Sequence, residues 1–512
     1  MGAIAGTQDG DGAREGVREM LEALRHRGPD TCRILNGQGF VLGARASSHS
    51  PARGDGTARD GDATLVLDGE LYNARSSHAT DADVAMALFR AHGRDFAGRL
   101  DGLFACAVLD GNGDLILARD GMGLRPLYWG HDREGRLCFA SELKALTGRS
   151  QDVRELPPGT LFSPGRGPTG FEPYAPAVSV PDTPEEAAAA LRAAVLNAVE
   201  RRLADGAVGA CLLSGGLDSS IIAAAVKALG ADMPLLTVGA DAQAPDIENA
   251  RLVARHLGMK HEVRFFTGDE IEARLPTAVR CLESYDEDCV SGCLSNLFAA
   301  ELAHRTTRCV LSGEGADELF GGYHLLKDVA GDSARAALME ELLKIAYNTA
   351  LQRLDRAMMA FALHYRTPFL DAGVAAFARR LPVSWKIHRG ADGRDVEKWI
   401  LREAFRDWLP AEIVDRAKLR FSRGTGVDAL LERRAAGDAA PGGADRPIPK
   451  TDGGPPLNSA TEERLYREFK RWFPDPCFER LVGRWDPGKR GADTAAGTVH
   501  SSPRTTGPQR SP

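Results

Sequence analysis

The sequence predicts an α/β protein built from two unlike domains. In residues 1–175, short apolar segments are separated by Gly and Asp, which is typical of β-strands joined by turns. In residues 185–485, apolar strand candidates alternate with amphipathic helices, and that alternation predicts a parallel sheet wrapped by helices. A chain of 512 residues is also too long for one ordinary hydrophobic core, which favours more than one domain.

The second domain begins with a helix that follows a Pro-rich connector. Thr183 and Glu186 have the spacing of a capping box, and Leu191, Val195 and Val199 repeat on one helical stripe. Strand candidates of this domain are 208–213, 234–238 and 309–311, whereas those of the first domain are 64–67, 104–109 and 114–118. Residues 486–512 are rich in Gly, Thr, Ser and Pro, so we expect a disordered tail without chemistry.

Composition restricts the class of function. The formal net charge of −7 argues against a general polyanion-binding surface, so a nucleic-acid partner is not expected. Nine cysteines without a CxxC pair indicate reduced thiols and a cytoplasmic location. No stretch approaches 18 uninterrupted apolar residues, so a membrane partner is not expected either. The composition therefore favours a cytoplasmic protein that acts on small molecules.

The most informative stretch is LLSGGLDSS, at 212–220. An apolar strand passes through a Gly-Gly turn into a helix that begins with Asp and two Ser, whose hydroxyls and backbone N–H groups can bind phosphate. The GK[ST] sequence of a Walker loop is absent. The stretch resembles the pyrophosphate loop of ATP pyrophosphatases, which release pyrophosphate and leave AMP on a substrate oxygen.

A second group of motifs identifies a family. LSGEGADELFGGY at 311–323, PFLD at 368–371 and the Glu397-Lys398 pair resemble the synthetase domain of glutamine-hydrolysing asparagine synthetases. RHRGPD at 25–30 and DGELYN at 68–73 resemble their glutaminase domain. The resemblance implies an N-terminal Ntn-hydrolase-like αββα sandwich and a C-terminal ATP-pyrophosphatase domain.

The resemblance also implies ATP and Mg²⁺ as cofactors and a role for each matched residue. Asp218 and Asp317 are expected to hold the metal, and Lys418 to stabilise charge on the α-phosphate. Glu314 is expected to act as the base for the incoming amine, since only neutral ammonia is nucleophilic. The residues expected to bind ATP and pyrophosphate are Leu212, Ser214, Gly215, Gly216, Asp218, Ser219, Ser220, Val238, Ser312 and Gly313.

The glutaminase half departs from the family pattern. The family needs a cysteine nucleophile at the position of Gly2, and the oxyanion-hole asparagine is replaced by Asp68. An ionised carboxylate only accepts hydrogen bonds, so it is a poor partner for a developing oxyanion. Gly69 and Asp81 still match the family. We therefore expect residues 1–175 to form an inactive, degenerate glutaminase-like domain.

The acceptor site departs from the family as well. The arginine expected to bind the α-carboxylate of aspartate is replaced by Ser291, and acidic residues precede it. That exchange makes aspartate a doubtful acceptor, unless another arginine such as Arg366 substitutes. The candidates for the acceptor site are Glu283, Asp286, Asp288, Ser291 and Arg366.

The sequence thus predicts an ATP-dependent ligase that adenylates a small carboxylic acid and joins ammonia or a small amine to it, in specialised metabolism. One alternative is an ordinary asparagine synthetase that uses aspartate and ammonia. A second is an intramolecular ligase like the β-lactam synthetases, which Glu314 disfavours because those relatives use a tyrosine in a different dyad. A third is a catalytically inactive binding protein. The identity of the acid and the source of the amine stay open, and a homodimer is one assembly that the resemblance allows.

Overall fold

The computed structural model describes residues 2–49, 54–73, 79–438, 451–454 and 456–484. The predicted tail at 486–512 therefore lies outside the described residues. Within the described ranges, no helix combines the length and the apolar character needed to cross a bilayer. The predicted α/β class is confirmed, since antiparallel sheets form the N-terminal part and a parallel sheet forms the C-terminal part.

The N-terminal part is a four-layered sandwich. Its first sheet has the order β10-β8-β9-β1-β3-β2 and its second the order β12-β11-β7-β6-β5-β4. Helix α1 packs on β1 and β3, helix α2 packs on β4 and β5, and apolar side chains such as Leu42, Val66 and Phe139 fill the space between the sheets. The elements are β1 (Gly2–Gln8), α1 (Ala13–Ala23), β2 (Thr31–Asn36), β3 (Phe40–Ala46), β4 (Thr57–Asp60), β5 (Ala63–Leu71), α2 (Asp81–His92), β6 (Gly102–Leu109), β7 (Leu115–Arg119), β8 (Tyr128–His131), β9 (Leu137–Ala140), β10 (Arg154–Glu155), β11 (Thr160–Ser163) and β12 (Gly167–Gly170).

The C-terminal part is organised around a parallel sheet with the order β15-β14-β13-β16-β17. Helix α3 opens it, and the hydroxyl of Thr183 accepts a hydrogen bond from the N–H of Glu186, as the capping sequence predicts. Its first elements are α3 (Pro184–Leu203), β13 (Ala210–Leu212), α4 (Leu217–Ala228), β14 (Leu235–Gly239), α5 (Pro245–Leu257), β15 (His261–Phe265), α6 (Gly268–Leu282), α7 (Glu287–Thr306), β16 (Cys309–Leu311) and α8 (Ala316–Phe320).

The remaining chain covers this sheet with helices and one hairpin. These elements are α9 (Asp332–Ala346), α10 (Ala350–Met359), β17 (His364–Arg366), α11 (Ala372–Arg380), α12 (Val383–Lys386), β18 (Ile387–Arg389), β19 (Asp395–Glu397), α13 (Trp399–Phe405), α14 (Ala411–Val414), α15 (Phe421–Gly424), α16 (Val427–Asp438), α17 (Ala460–Trp472) and α18 (Pro476–Glu479). Single-turn or short 3₁₀ helices lie at Arg25–Arg27, Gly93–Arg99, Leu143–Ala145, His324–Asp328 and Pro368–Leu370.

Buried ion pairs join the two parts of the chain. The guanidinium of Arg27 binds Asp355 through both nitrogens, Nη1 at 2.7 Å and Nη2 at 3.1 Å, and Nη1 also lies 2.8 Å from Glu142. Arg356 is 3.1 Å from Glu283. We call these five residues the interdomain ion network. Burial raises the pKa of Asp355, but the surrounding arginines outweigh it and lower that pKa to about 2, so its carboxylate stays charged.

Candidate functional site

The candidate phosphate loop joins β13 to α4. Gly215 has a φ of +71°, and a Cβ there would lie 2.5 Å from the backbone nitrogen of Ala250, so only glycine fits. The hydroxyls of Ser214 and Ser219 lie 3.0 Å apart, and the N–H of Ser214 donates to Ser219 Oγ. Ser220 Oγ is buried and has no hydrogen-bond partner within the described residues. The loop therefore presents hydroxyls and a helix N-terminus, the groups that bind phosphate.

A second loop approaches the first because β13 and β16 are neighbours in the parallel sheet. Residues 312–315 follow the carboxyl end of β16, and a Cβ on Gly313 would lie 2.7 Å from the backbone nitrogen of Ser219. Val238 lies near the carboxyl end of β14, on the other side of β13. Open parallel sheets bind ligands at this edge. The structure therefore brings the predicted nucleotide-binding residues together.

Two aspartates and two lysines meet between these loops. Asp218 lies in the first turn of α4, and Asp317 lies in the first turn of α8. Lys398 Nζ is 2.6 Å from an oxygen of each aspartate, and Lys418 Nζ is 2.5 Å from Asp317 Oδ2. Burial raises the pKa of Asp317, but the two ammonium groups outweigh it and hold that pKa far below its usual range.

The aspartate pair fits a magnesium ion that is shared with ATP. Asp317 Oδ1 is buried and lies 2.6 Å from Lys398 Nζ. The described residues contain no group of three or more His, Cys, Asp or Glu side chains arranged to hold a metal, so the two aspartates supply only part of a coordination shell. Mg²⁺ commonly takes one or two carboxylates and completes its shell with substrate phosphates and water. Asp218 and Asp317 would supply those carboxylates.

Glu314 lies beside this cluster with its carboxylate available. Burial raises its pKa to about 7, and the charge of Glu318 adds to the effect, whereas Arg353 and Lys418 oppose it. The carboxylate of Glu318 accepts a 2.5 Å hydrogen bond from Tyr323. No hydrogen bond or ion pair in the described structure engages the Glu314 side chain. A carboxylate with a pKa near neutrality can take up a proton during a reaction.

At the start of β1, in contrast, the residues at the predicted glutamine site are already hydrogen-bonded. The N–H of Gly2 donates to Asp68 Oδ1 at 2.8 Å, and Arg27 Nη2 donates to Asp68 Oδ2 at 3.0 Å. A Cβ on Gly2 would lie 1.8 Å from the carbonyl oxygen of Arg45, which belongs to the paired strand β3. The residues that stand at the predicted glutamine site are therefore packed against backbone and hydrogen-bonded to one another.

The other matched residues of this half have structural contacts. The carboxylate of Asp81 accepts from the N–H of Leu71, at 3.0 Å. A Cβ on Gly69 would lie 2.4 Å from the carbonyl oxygen of Leu103. Glu70 is bound by Arg366, which extends from β17 of the other domain. Gly2, Asp68, Gly69 and Glu70 thus lie together at the buried junction of the two domains.

Family models match both parts of the chain. Residues 190–340 and 327–475 match the asparagine synthase family model, and residues 1–161 match the model of the glutamine amidotransferase domain. Asparagine synthetase [glutamine-hydrolyzing] 1 from Arabidopsis thaliana is 32% identical, with 97% of this chain and 89% of that protein covered. The chain belongs to the asparagine synthetase family. It is therefore a carbon–nitrogen ligase of an ATP-dependent, amide-forming family, as the motifs predict.

Two further asparagine synthetases have similar identity and coverage. The asparagine synthetase [glutamine-hydrolyzing] of Brassica oleracea is 32% identical over 97% of this chain and 89% of its own length. That of Sandersonia aurantiaca is 32% identical over 85% of this chain and 89% of its own length. Among solved structures, glutamine phosphoribosylpyrophosphate amidotransferase from B. subtilis has 15% identity and a TM-score of 0.29, covering 51% of this chain and 65% of that chain.

In this asparagine synthetase family member, the acceptor-site candidates do not form one pocket of free charges. Glu283 accepts the N–H groups of Leu143 and Lys144, at 3.0 and 2.8 Å, across the domain junction. Asp286 caps α7 through the N–H of Cys289, at 2.9 Å. The other acidic candidate, Asp288, forms an ion pair with Arg420.

The last two acceptor-site candidates differ from each other. Ser291 is buried within α7. Arg366 is bound by Asp205 and by Glu70. The acceptor roles of all five candidates stay predictions, and four of them already have charged or backbone partners.

The fold also brings up residues to which the sequence alone assigns no role. Lys398 bridges the two aspartates from a left-handed backbone conformation with a φ of +53°, which is uncommon for a residue other than glycine. Arg416 donates to the carbonyl oxygen of Gly215 at 2.9 Å and to Asp246 at 2.9 Å. It therefore links the backbone of the phosphate loop to helix α5. Of these two residues, only Lys398 belongs to a motif that the sequence analysis identifies, the Glu397-Lys398 pair.

Proposed function

We propose that this chain adenylates a small carboxylic acid with ATP and then joins ammonia or a small amine to it, without hydrolysing glutamine. The observation that carries the proposal is the contrast between a preserved nucleotide site and a closed glutamine site. The first retains a buried hydroxyl, Ser220 Oγ, that has no hydrogen-bond partner within the described residues, and two aspartates that lysines contact. In the second, a carboxylate takes the place of the expected amide, and both of its oxygens are engaged.

The absence of a nucleophile supports the loss of glutamine hydrolysis. Amide hydrolysis by this route requires a thiolate to attack the glutamine carbonyl, and Gly2 has no side chain. The carboxylate of Asp68 cannot donate a hydrogen bond to a developing oxyanion. Its oxygens accept from Gly2 and Arg27 instead. Ammonia or an amine must then reach the synthetase site from another source.

In the first half-reaction, an oxygen of the acceptor carboxylate forms a bond to the α-phosphorus of ATP, and the bond to pyrophosphate breaks. The hydroxyls of Ser214 and Ser219 and the N-terminus of α4 bind phosphate oxygens. Asp218 and Asp317 would hold Mg²⁺, which would supply positive charge to the leaving pyrophosphate. Lys418 adds an ammonium group beside Asp317.

In the second half-reaction, the amine nitrogen attacks the acyl carbon of the adenylate and AMP leaves with the electron pair of the broken C–O bond. Glu314 accepts the proton that the nitrogen loses. Its pKa of about 7 suits this transfer, because the carboxylate is half ionised near neutral pH. An external amine is favoured over ring closure, since the tyrosine of the intramolecular relatives is absent at this position.

The experiment measures pyrophosphate, AMP and glutamate from the purified full-length protein. Wild type is incubated with ATP, Mg²⁺ and a panel of carboxylic acids, with either ammonia or glutamine as the nitrogen source. We expect pyrophosphate and amide with ammonia and no glutamate from glutamine. Glutamate release at a rate comparable with amide formation would contradict the proposal.

Three further properties belong to the same proposal. The changed acceptor region supports a role in specialised metabolism, in which the amide forms on an acid other than a primary metabolite. A homodimer is proposed from the resemblance to the family. A cytoplasmic location is proposed from the free cysteines. Sedimentation of the purified protein would test the dimer. Aspartate-dependent pyrophosphate release as efficient as with any other acid would contradict the specialised role.

A further inference from the structure

Arg366 of β17 is a buried arginine whose N–H donors all have acceptors within the described chain. Its Nε donates to Glu70 Oε2 at 3.1 Å, and its Nη2 donates to the other oxygen of Glu70 and to Asp205 Oδ2. Its Nη1 donates to Asp205 Oδ1 at 2.8 Å and to the carbonyl oxygen of Arg202. A guanidinium has five N–H donors, and these contacts use all of them. Arg366 therefore has no free donor for an acceptor molecule.

The carboxylate of Glu70 brings the degenerate glutamine site into this contact. Glu70 lies on β5, directly after Asp68 and Gly69, and its side chain is buried. The hydroxyl of Tyr72 also donates to Glu70 Oε2, at 3.2 Å. Both oxygens of Glu70 accept from Arg366, which belongs to the other domain. The two domains are thus joined by a bidentate, charge-assisted pair of hydrogen bonds.

The backbone of Arg366 contacts the loop that carries Glu314. Strand β17 pairs in parallel with β16, and the carbonyl oxygen of Arg366 accepts a 3.0 Å hydrogen bond from the N–H of Ser312. Ser312 is the first residue after β16 and lies two positions before Glu314. The N–H of Glu314 donates in turn to Ser312 Oγ, at 3.4 Å. A short chain of contacts therefore runs from Glu70 to Glu314.

Strand β17 depends on its side chains for its position. It has three residues and lies at the end of the parallel sheet, where it pairs only with β16 among the described strands. A segment with so few backbone hydrogen bonds opens more easily than the centre of a sheet. The hydroxyl of Tyr365 donates to Asp355 at 2.8 Å, and Asp355 is bound by Arg27 of the N-terminal domain. Residues of that domain therefore help to fix β17 through both Tyr365 and Arg366.

We propose that Arg366 is a positioning residue for Glu314, and that Glu70 of the glutaminase-like domain acts on the amine half-reaction through it. The carboxylate of Glu70 holds the guanidinium, and the guanidinium holds β17. Strand β17 in turn holds the loop at 312–315. Neither Glu70 nor Arg366 contacts the reacting atoms. This inference rests on the proposed role of Glu314 as the base.

Two competing explanations give different results when Glu70 is changed. If the ion pair only stabilises the domain junction, amide and pyrophosphate fall together, because unfolded molecules form neither product. If Arg366 binds the acceptor, the half-saturating concentration of the acid changes and the amide formed per pyrophosphate stays constant. A positioning role lowers the amide formed per pyrophosphate, since the adenylate still forms and its reaction with the amine is impaired.

The test measures amide and pyrophosphate in the same reaction, with the full-length protein below the melting temperature of every variant. ATP and Mg²⁺ are supplied with the carboxylic acid that gives wild type the fastest pyrophosphate release, and the amine is ammonia or hydroxylamine. The variants are Glu70→Gln, which removes the charge, Arg366→Lys, which removes the planar fork, and the two combined. The control is Glu155→Gln, because the buried ion pair of Glu155 with Arg119 stays within the N-terminal domain.

We expect Glu70→Gln and Arg366→Lys each to lower the amide formed from ammonia per pyrophosphate by about 10- to 100-fold, the upper value being the loss from a misplacement of about 1 Å. Adenylate that the amine does not attack is hydrolysed by water to the acid and AMP, so pyrophosphate release continues. Hydroxylamine is largely unprotonated near neutral pH and should restore the yield of its product. The double variant should be no worse than Arg366→Lys, since residues that act through one another are not additive. Glu155→Gln should keep the wild-type yield.

The results that would overturn the positioning role are specific. An unchanged yield of amide per pyrophosphate in both single variants would overturn it, and so would additive losses in the double variant. A loss with hydroxylamine as large as the loss with ammonia would do the same. These results overturn this inference alone if Glu314→Gln still lowers the amide yield. If Glu314→Gln leaves that yield unchanged, or if wild type forms no amide, the proposed amine transfer fails as well.

Discussion

In the C-terminal domain, Glu314 is half-buried, has a pKa raised to about 7 and makes no side-chain hydrogen bond or ion pair in the described structure, whereas in the N-terminal domain both oxygens of the fully buried Asp68 accept hydrogen bonds from protein donors. The fold therefore treats the two carboxylates differently. The first has no protein partner in the described structure. The second is satisfied by protein donors.

We infer that this difference separates a site prepared for ligands from a site that has become structural. Burying a polar group without a partner costs free energy, so such groups recur where a ligand completes them. Ser220 Oγ is a group of this kind at the phosphate loop.

Replacement of the base should give the largest effect. Glu314→Gln removes the proton acceptor of the amine step, so amide formation should fall by about 10²- to 10⁴-fold, the usual contribution of general base catalysis. Pyrophosphate release should persist, because the adenylate forms before the amine attacks. Both products are measured in the same reaction. Equal loss of amide and pyrophosphate would assign Glu314 to substrate binding instead.

Loss of a metal-binding carboxylate should come next. Asp317→Asn removes the charge that Lys398 and Lys418 contact, and pyrophosphate release should fall by about 10²- to 10³-fold, as expected for one electrostatic group at a reacting phosphate. The control is Asp407→Asn, at an exposed ion pair with Arg192. Near-normal pyrophosphate release by Asp317→Asn would refute its assignment to the metal and pyrophosphate.

A third change tests the closed site. Gly2→Cys restores the side chain of the family nucleophile, but its Cβ would lie 1.8 Å from the carbonyl oxygen of Arg45. The added atoms should destabilise the protein by about 1–3 kcal/mol through overpacking, and glutamine should still not be hydrolysed. Gly170→Cys, where the nearest atom would be 4.0 Å away, is the matched control for thermal unfolding. Glutamate release by Gly2→Cys would show that Asp68 does not prevent hydrolysis.

The smallest effect is the pH dependence of wild type. Since the raised pKa of Glu314 is about 7, its carboxylate is mostly protonated at pH 6 and mostly ionised at pH 8. Amide formation from ammonium should therefore rise about tenfold between these values and level off above them. Glu314→Gln should continue to gain as pH increases, because neutral ammonia becomes more abundant. Parallel profiles for wild type and variant would exclude Glu314 as the titrating group.

The sequence predicts best those parts of the site that lie within one contiguous motif. The phosphate loop occupies 212–220, so its strand, turn and helix can be placed without knowledge of the remaining fold. The predicted cap at Thr183 is half confirmed, since its hydroxyl accepts from the N–H of Glu186. At Gly2 the sequence predicts only the missing nucleophile, and the structure adds that the carbonyl oxygen of Arg45 lies where a Cβ would be.

Contacts between distant residues explain what the sequence does not predict. Lys398 reaches Asp218 across 180 positions, and Arg366 reaches Glu70 across 296 positions. From the sequence alone, Arg366 is a reasonable candidate for binding the acceptor, because it is a cation whose partners are unknown. The fold shows that Glu70 and Asp205 already bind it.

The interdomain ion network also affects how this chain can evolve. If the sandwich formed by β1 to β12 were deleted, Asp355 would lose Arg27, and Glu283 would lose the backbone donors of the first domain. Losing these contacts would weaken a domain whose total stability is roughly 5–15 kcal/mol. Selection for a stable synthetase domain would therefore preserve the neighbouring sandwich, whether or not that sandwich hydrolyses glutamine.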